Sequence, residues 1–148
     1  MEKTFVRVRS IKDIIIFASL AIVGVILTML PIGDAANIAG FFIIVAAGIL
    51  AFLLKSAYKD IETNEKYLKT EKYFQQTMHA EISAAIASKP DAINLTEEDK
   101  GNALRLDIYY STSSGKVYLQ LFEYIPYTYQ PCSKIYECEL SRASNLIK

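Results

Sequence analysis

Two uncharged apolar stretches occupy the first third of the chain. No charged side chain lies between Ile14 and Gly33, and between Ala35 and Leu54 the only strongly polar residue is Asn37. At a rise of about 1.5 Å per residue, a helix over either stretch would be roughly 30 Å long, which matches the hydrocarbon core of a bilayer. The pattern therefore predicts a hairpin of two transmembrane helices over residues 14–54.

The next segment, residues 55–89, mixes charged and apolar positions and contains no glycine or proline. Its apolar residues recur at helical spacings, which is typical of an amphipathic helix; they are Tyr58, Ile61, Leu68, Met78, Ile82 and Ile86. Pro90 would end such a helix. We therefore expect a long helix over 55–89, which need not be a single rod because Thr63-Asn64 is a place where it could bend, with its second half, Phe74 to Ala87, carrying the packing.

Residues 90–148 indicate a small antiparallel β module. ALRLDIYY and VYLQLFEYI alternate in polarity around the turn-rich STSSGK, which predicts a β-hairpin in which Ser111 pairs with Lys116. A third strand is expected over Lys134 to Leu140, a one-turn helix over Thr96 to Gly101, and a short helix or frayed tail at the end. The predicted fold is thus a membrane helical hairpin followed by an α+β module, with a long helix on a sheet of two or three strands.

The predicted register gives the sheet two unlike faces. Leu106, Ile108 and Tyr110 oppose Leu121, Leu119 and Val117 on an aliphatic face. The other face is aromatic and only half polar, and we regard it as a candidate partner-binding face; its main residues are Arg105, Tyr109, Tyr118, Phe122 and Tyr124. Three fates remain open for it: cover by residues 126–131 folding back, contact with lipid headgroups, or docking of another polypeptide.

Basic residues predict the orientation of the hairpin. The tail of residues 1–13 carries Lys3, Arg7, Arg9 and Lys12, the turn between the spans carries only Asp34, and further lysines follow the second span. By the positive-inside rule both termini are cytoplasmic, and we expect an integral protein of a bacterial inner membrane. A cleavable signal peptide is the competing interpretation, but the first apolar run is longer than a signal core and a second span follows at once.

Small residues at four-residue spacing occur in both spans. These are Gly24 and Thr28, Ala36 and Gly40, and Ala47 and Ala51. Such spacing lets helix backbones approach closely in lipid, either within one hairpin or between subunits. The spans carry no ionisable side chain from Ile14 to Gly33 or from Ala35 to Leu54, which argues against a proton relay or a voltage sensor formed by one chain.

No pattern in the sequence indicates a catalytic, metal or cofactor site. Cys132 and Cys138 are the only cysteines and His79 is the only histidine, so we expect two packing thiols rather than a zinc centre or, in the cytoplasm, a disulfide. Gly115-Lys116 lacks the glycine and the Ser or Thr of a phosphate-binding loop. Few basic residues flank the aromatic face, which argues against nucleic acid.

Average composition does not change this interpretation. The chain is 52% hydrophobic with a formal net charge of zero, and these averages combine the apolar spans with the charged remainder. The sequence therefore predicts a small double-spanning membrane protein that acts as a non-enzymatic anchoring or interaction subunit. Its expected partners are the bilayer and either another protein or further copies of itself. The alternative is a pore-forming effector whose hairpins oligomerise and whose cytoplasmic module senses a trigger.

Overall fold

The structure is a computed structural model that describes residues 3–95 and 101–148. The chain forms two compact units. One comprises residues 7–57, and the other comprises the described residues up to Val6 together with those from Tyr58 onward. Five of the six residues predicted to form a one-turn helix, Thr96 to Lys100, lie outside the described residues, so that prediction is not tested.

The first unit is a helical hairpin of α1 (Ile11–Met29) and α2 (Asp34–Leu53). Helix α1 begins with a capping box, in which the Ser10 side chain accepts from the Asp13 backbone N–H and Asp13 accepts from that of Ser10. Both helices are long and apolar enough to cross a membrane. The prediction of two long apolar helices is confirmed, with boundaries shifted by only a few residues.

Within the part of the chain that the structure describes, the second unit is built on a seven-stranded sheet. Its strands are β1 (Phe5–Val8), β2 (Ala57–Asp60), β3 (Lys66–Phe74), β4 (Leu104–Tyr110), β5 (Lys116–Ile125), β6 (Thr128–Pro131) and β7 (Tyr136–Glu139). They are ordered β1-β2-β3-β4-β5-β6, and β7 pairs with the first half of β5. The predicted sheet of two or three strands was therefore too small.

The long helix predicted over 55–89 is wrong. Only α3 (His79–Ser88) is α-helical there, and the earlier part of the segment forms β2 and β3. The two strands are joined by a tight turn in which Asn64 has a positive φ of 60°, a conformation that asparagine tolerates well. The Asn64 N–H donates to the Asp60 carbonyl over 2.9 Å, so the chain reverses here instead of continuing as a helix. The predicted basic tail of residues 1–13 likewise contains a strand, β1.

The β4–β5 hairpin has the predicted register. Leu106 pairs with Leu121, Ile108 with Leu119 and Tyr109 with Tyr118. The turn closes through the Ser111 N–H, which donates to the Lys116 carbonyl, and Gly115 supplies the positive φ that the turn needs. Strand β7 lies within the predicted Lys134–Leu140, and its Cys138 pairs with Val117 on the aliphatic side.

The core lies between the aliphatic face of this sheet and two helices, α3 and the short C-terminal α4 (Ser144–Ile147). Burial of these side chains is the main stabilising term of the unit. The fully buried core residues include Phe74, Ile82, Leu104, Leu106, Ile108, Leu119, Leu121 and Leu146. The Phe74 to Ala87 segment thus carries the packing as expected, although only part of it is helical. Cys132 and Cys138 both pack against this core, and both are free thiols.

Candidate functional site

The second face of the sheet gathers aromatic and charged side chains from three neighbouring strands. Successive side chains of a strand point to opposite faces, so the register fixes which residues share this side. Strand β4 contributes Arg105, Asp107 and Tyr109. The partners on β5 are Tyr118, Gln120 and Phe122, and those on β3 are Lys69, Glu71 and Tyr73.

One half of this face is covered from within the same unit. We call it the inner aromatic cluster, which consists of Phe5, Tyr58, Tyr67, Tyr109 and Tyr118. The Phe5 ring stacks on Tyr109 at 4.2 Å between centroids, and Tyr67 meets Tyr118 edge to face at 5.6 Å. Tyr118 is only 4% exposed. Burial raises the pKa of both Tyr109 and Tyr118, so both phenols are neutral near pH 7.

The cover comes from β1 rather than from residues 126–131. Cover by that segment was one of three open possibilities. It does not reach the inner aromatic cluster, because Thr128–Pro131 forms β6 and pairs with the last residues of β5, where Tyr129 contacts Tyr124 and Arg105. Proline in this strand is tolerated because β6 is the last strand of the ordered sheet. Tyr109 and Tyr118 are therefore part of a second, aromatic core and not of an open surface.

An ion pair between Lys3 and the buried Asp60 lies beside the inner aromatic cluster. The Lys3 Nζ lies 2.7 Å from an Asp60 carboxylate oxygen and 5.4 Å from the centre of the Tyr118 ring. Asp60 also accepts from the Thr63 hydroxyl and the Glu62 N–H. Burial disfavours the charged form of Asp60, but the hydrogen bond from Lys3 and these further bonds outweigh it and lower its pKa.

Four charged side chains form a chain of ion pairs across the middle of the face. Asp107, 2% exposed, accepts from Lys69 at 2.9 Å and from Arg105 Nε at 2.7 Å, while Lys69 also lies 2.7 Å from Glu71. Burial disfavours the ammonium of Lys69, yet its bonds to Glu71 and Asp107 hold its pKa above the usual value. The Tyr73 hydroxyl also donates to Glu71, and this hydrogen bond raises the pKa of Tyr73 to about 12. The network satisfies the buried charges internally, which is how proteins retain them.

Beyond these ion pairs lies the outer aromatic cluster, which consists of Tyr73, Arg105, Phe122, Tyr124 and Tyr129. The Arg105 guanidinium lies 4.7 Å from the ring centres of both Phe122 and Tyr129. Tyr124 contacts Tyr129 with the rings tilted by 59° and 5.2 Å between centroids, yet it is 49% exposed. At the adjoining β5–β6 turn, Tyr127 has a positive φ and is 96% exposed. Arginine and tyrosine in this arrangement are the residues enriched in protein interfaces.

The candidate face identified from sequence is thus divided in two. Arg105, Phe122 and Tyr124 belong to the outer cluster, and Tyr109 and Tyr118 belong to the covered inner cluster. Lys69 and Glu71, which complete the ion pairs, were missed because their segment was assigned to a helix. Polarity does not alternate in KYLKTEKYF, and the local signal for a strand there is its content of tyrosine, threonine and phenylalanine, residues that favour strands.

The small residues of the hairpin are used mainly within the hairpin itself. A Cβ on Gly40 would lie 2.7 Å from the Gly24 carbonyl oxygen and 2.6 Å from Thr28 Oγ1, and one on Gly24 would meet Ile44. Ala47 is buried, while Ala36 and Ala51 are half-buried. Gly24, Thr28 and Gly40 therefore form one intramolecular helix contact.

Sequence reasoning also missed a meeting of His79, Glu123 and Cys132, whose potential metal-binding atoms all lie within 4.8 Å of one another. Burial, together with the nearby charge of Glu123, raises the pKa of the Cys132 thiol. No local sequence motif predicts this cluster, because its residues lie far apart in sequence and come together only in the folded sheet unit.

Comparisons with protein-family models, with curated proteins and with solved structures found no match.

Proposed function

We propose that this chain is a double-spanning membrane protein that acts as a non-enzymatic anchoring or interaction subunit. Its sheet unit would bind another protein through the outer aromatic cluster. The observation that carries the proposal is the exposure of Tyr124 and Tyr127 beside an arginine held between two aromatic rings.

The exposed surface of the hairpin supports a membrane location. Only 11% of each apolar helical window is buried, whereas a core helix of a soluble protein would be mostly covered. The exposed residues are large and apolar, and they include Ile22, Met29, Phe41, Phe42 and Phe52. Leaving so much apolar surface in water would be unfavourable by about 25 cal/mol per Å², and lipid removes that cost. The flanking basic residues favour both termini, and hence the sheet unit, on the cytoplasmic side.

The outer aromatic cluster supports a docking role better than the inner one. Side chains of the inner cluster already make their contacts within the fold, so exposing them would cost stability. Tyr124, by contrast, is ordered by Tyr129 and still presents half of its surface. A rigid aromatic side chain that is placed in advance loses little conformational entropy when a partner binds.

A crosslinking pull-down from native membranes tests the docking role. Tyr124→Ser and Tyr127→Ser should each remove a protein partner that wild type captures, with the chain still folded and inserted. Ile61→Ser is a matched control, because Ile61 is also an exposed apolar residue near a turn of the same unit. Retention of every partner by both tyrosine variants, or recovery only of further copies of this chain, would contradict the proposal.

The alternative of a pore-forming effector has less support. It requires hairpins to associate through their small residues, and Gly24 and Gly40 are already occupied by each other. That reading predicts loss of membrane potential and growth arrest on overexpression, relieved by Gly24→Leu or Gly40→Leu. A protein harmless at high expression would exclude it.

A further inference from the structure

The cluster of His79, Glu123 and Cys132 joins three separate parts of the sheet unit. His79 is the first residue of α3, Glu123 lies near the end of β5, and Cys132 directly follows β6. All three residues are half-buried, and their potential ligand atoms lie within 4.8 Å of one another.

Main-chain pairing holds two of the three residues in place. Glu123 pairs with Leu104 on one side and with Gln130 on the other, so it is fixed within the sheet. The Cys132 N–H donates to the Leu121 carbonyl over 2.9 Å, which places the cysteine beside a residue two positions from Glu123. The meeting of carboxylate and thiol therefore follows from the sheet register rather than from chance rotamers of surface side chains.

The donor set matches one class of metal ion. Imidazole nitrogen, thiolate sulfur and carboxylate oxygen are the three ligand types that Zn²⁺ takes, whereas Ca²⁺ and Mg²⁺ prefer oxygen alone. With bonds of about 2.0 to 2.3 Å, the ligand atoms of a tetrahedral zinc site lie roughly 3.3 to 3.8 Å apart. Small side-chain rotations would close the observed cluster to that size.

We propose that His79, Glu123 and Cys132 form a Zn²⁺ site in the sheet unit. Three protein ligands leave one coordination position for water or for a group from another molecule. Bound zinc would link the start of α3 to the last strands of the sheet. This site lies outside the proposed docking function and does not depend on it.

The second cysteine provides an internal control. Cys138 pairs with Val117, while Cys132 lies beside Leu121, so the two are separated by roughly 13 Å along β5 at about 3.3 Å per residue. Cys138 is also a half-buried free thiol that packs on the core. It therefore reports on a half-buried thiol of the same fold that lies outside the proposed site.

Alkylation of the full-length wild-type protein in detergent micelles tests the site without any substitution. At free zinc of about 100 times the Kd, roughly one molecule in a hundred is metal-free, so alkylation of Cys132 should slow by about 100-fold. Alkylation of Cys138, followed by mass spectrometry in the same sample, should keep its rate. Equal slowing of both thiols, or of neither, would overturn the proposal.

Cobalt(II) gives a second, spectroscopic readout on the same full-length chain. Wild type and Cys138→Ser should both show thiolate-to-cobalt charge transfer and the intense visible bands of a four-coordinate ion. Cys132→Ser should lose the charge-transfer band, and His79→Ala and Glu123→Gln should each weaken binding by at least about 10-fold to 100-fold. Unchanged cobalt spectra and affinities in these three variants would also overturn the proposal.

Discussion

At Gly24 and Gly40 the backbones of α1 and α2 approach closely, with no room for a Cβ. Gly40→Ala would place a methyl group 2.7 Å from the Gly24 carbonyl oxygen, so the helices must separate. We expect a loss of about 1 to 3 kcal/mol in the free energy of unfolding, which denaturant titration in detergent would measure.

Gly48→Ala is the matched control for that substitution. It lies on the same helix, but a Cβ there would have no heavy atom within 4 Å. Because alanine favours helix over glycine, this variant should be neutral or more stable by up to about 1 kcal/mol. Equal destabilisation by both substitutions would show that the close contact is unimportant.

Asp60 makes the stability of the sheet unit depend on pH in the acid range. Its pKa in the folded state is lowered below the ordinary 3.8, so ionised Asp60 stabilises the fold above about pH 4. That contribution is lost as the pH falls from there through the lower folded-state pKa. At pH 7 we expect Asp60→Asn to cost about 1 to 3 kcal/mol, and below pH 4 its difference from wild type should shrink.

Unfolding by urea, followed by tyrosine fluorescence at several pH values, measures this dependence. Glu62→Gln serves as the control, because Glu62 is more exposed and its ion pair with Lys3 is longer, at 3.5 Å. Such a pair contributes about 0 to 1 kcal/mol. A constant gap between Asp60→Asn and wild type from pH 7 to pH 3 would contradict the assignment.

Strand β1 is the element that turns the aromatic face into a second core. Phe5 contacts Tyr67, Tyr109 and Tyr118 at once, so Phe5→Ala should destabilise the sheet unit by about 2 to 4 kcal/mol. Val6→Ala, on the exposed side of the same strand, should cost less than about 1 kcal/mol. Thermal unfolding followed by near-UV circular dichroism compares the two, and similar losses would refute the role of Phe5.

The elements differ in how far sequence could predict them, and the reason is the range of the interactions that stabilise each one. The β4–β5 hairpin was predicted with its register because alternation and the Gly115 turn are local signals. Strand β3 was missed because its Lys69 and Glu71 resemble a solvated helix face until Asp107 and Arg105 are brought beside them.

In the candidate site, too, local sequence signals predicted some features, and long-range contacts decided the rest. Its β4 and β5 residues were identified because alternation assigns them to one face, but the cover from Phe5 depends on a contact more than a hundred residues away in sequence. Sequence patterning therefore gave the composition of the face and could not tell which half is buried.

At the scale of the whole molecule, the proposed membrane orientation makes a direct prediction. In a background with both native cysteines replaced by serine, Asp34→Cys should react with an impermeant thiol reagent added to intact cells. Thr112→Cys, in the exposed β4–β5 turn, should react only after lysis. Labelling in the opposite pattern would invert the orientation.

Contacts hold α1 and α2 together at three positions along the hairpin: its open end, its middle and its turn. Near its open end the buried Asp13 accepts from the Ser56 N–H at 2.8 Å and from the Ser56 hydroxyl at 2.7 Å, and Gly24 meets Gly40 in the middle. At the turn, the Asn37 amide nitrogen, assigned to the side that faces α1, lies within hydrogen-bonding distance of the Leu27, Thr28 and Leu30 carbonyls.

The two helices therefore cannot separate at either end without breaking hydrogen bonds. In the proposed membrane orientation, we expect a force on either helix near Asp13 or Ser56 to tilt both helices together as one rigid lever, so that displacement at one end reappears at the turn on the opposite side. Asp13→Ala should remove the hydrogen bonds to Ser56 and free the open end of the hairpin. The distribution of distances between spin labels at Lys12 and Lys55, measured by pulsed spectroscopy, should then broaden. An unchanged distribution would show that the rigidity of the hairpin does not depend on the contact between Asp13 and Ser56.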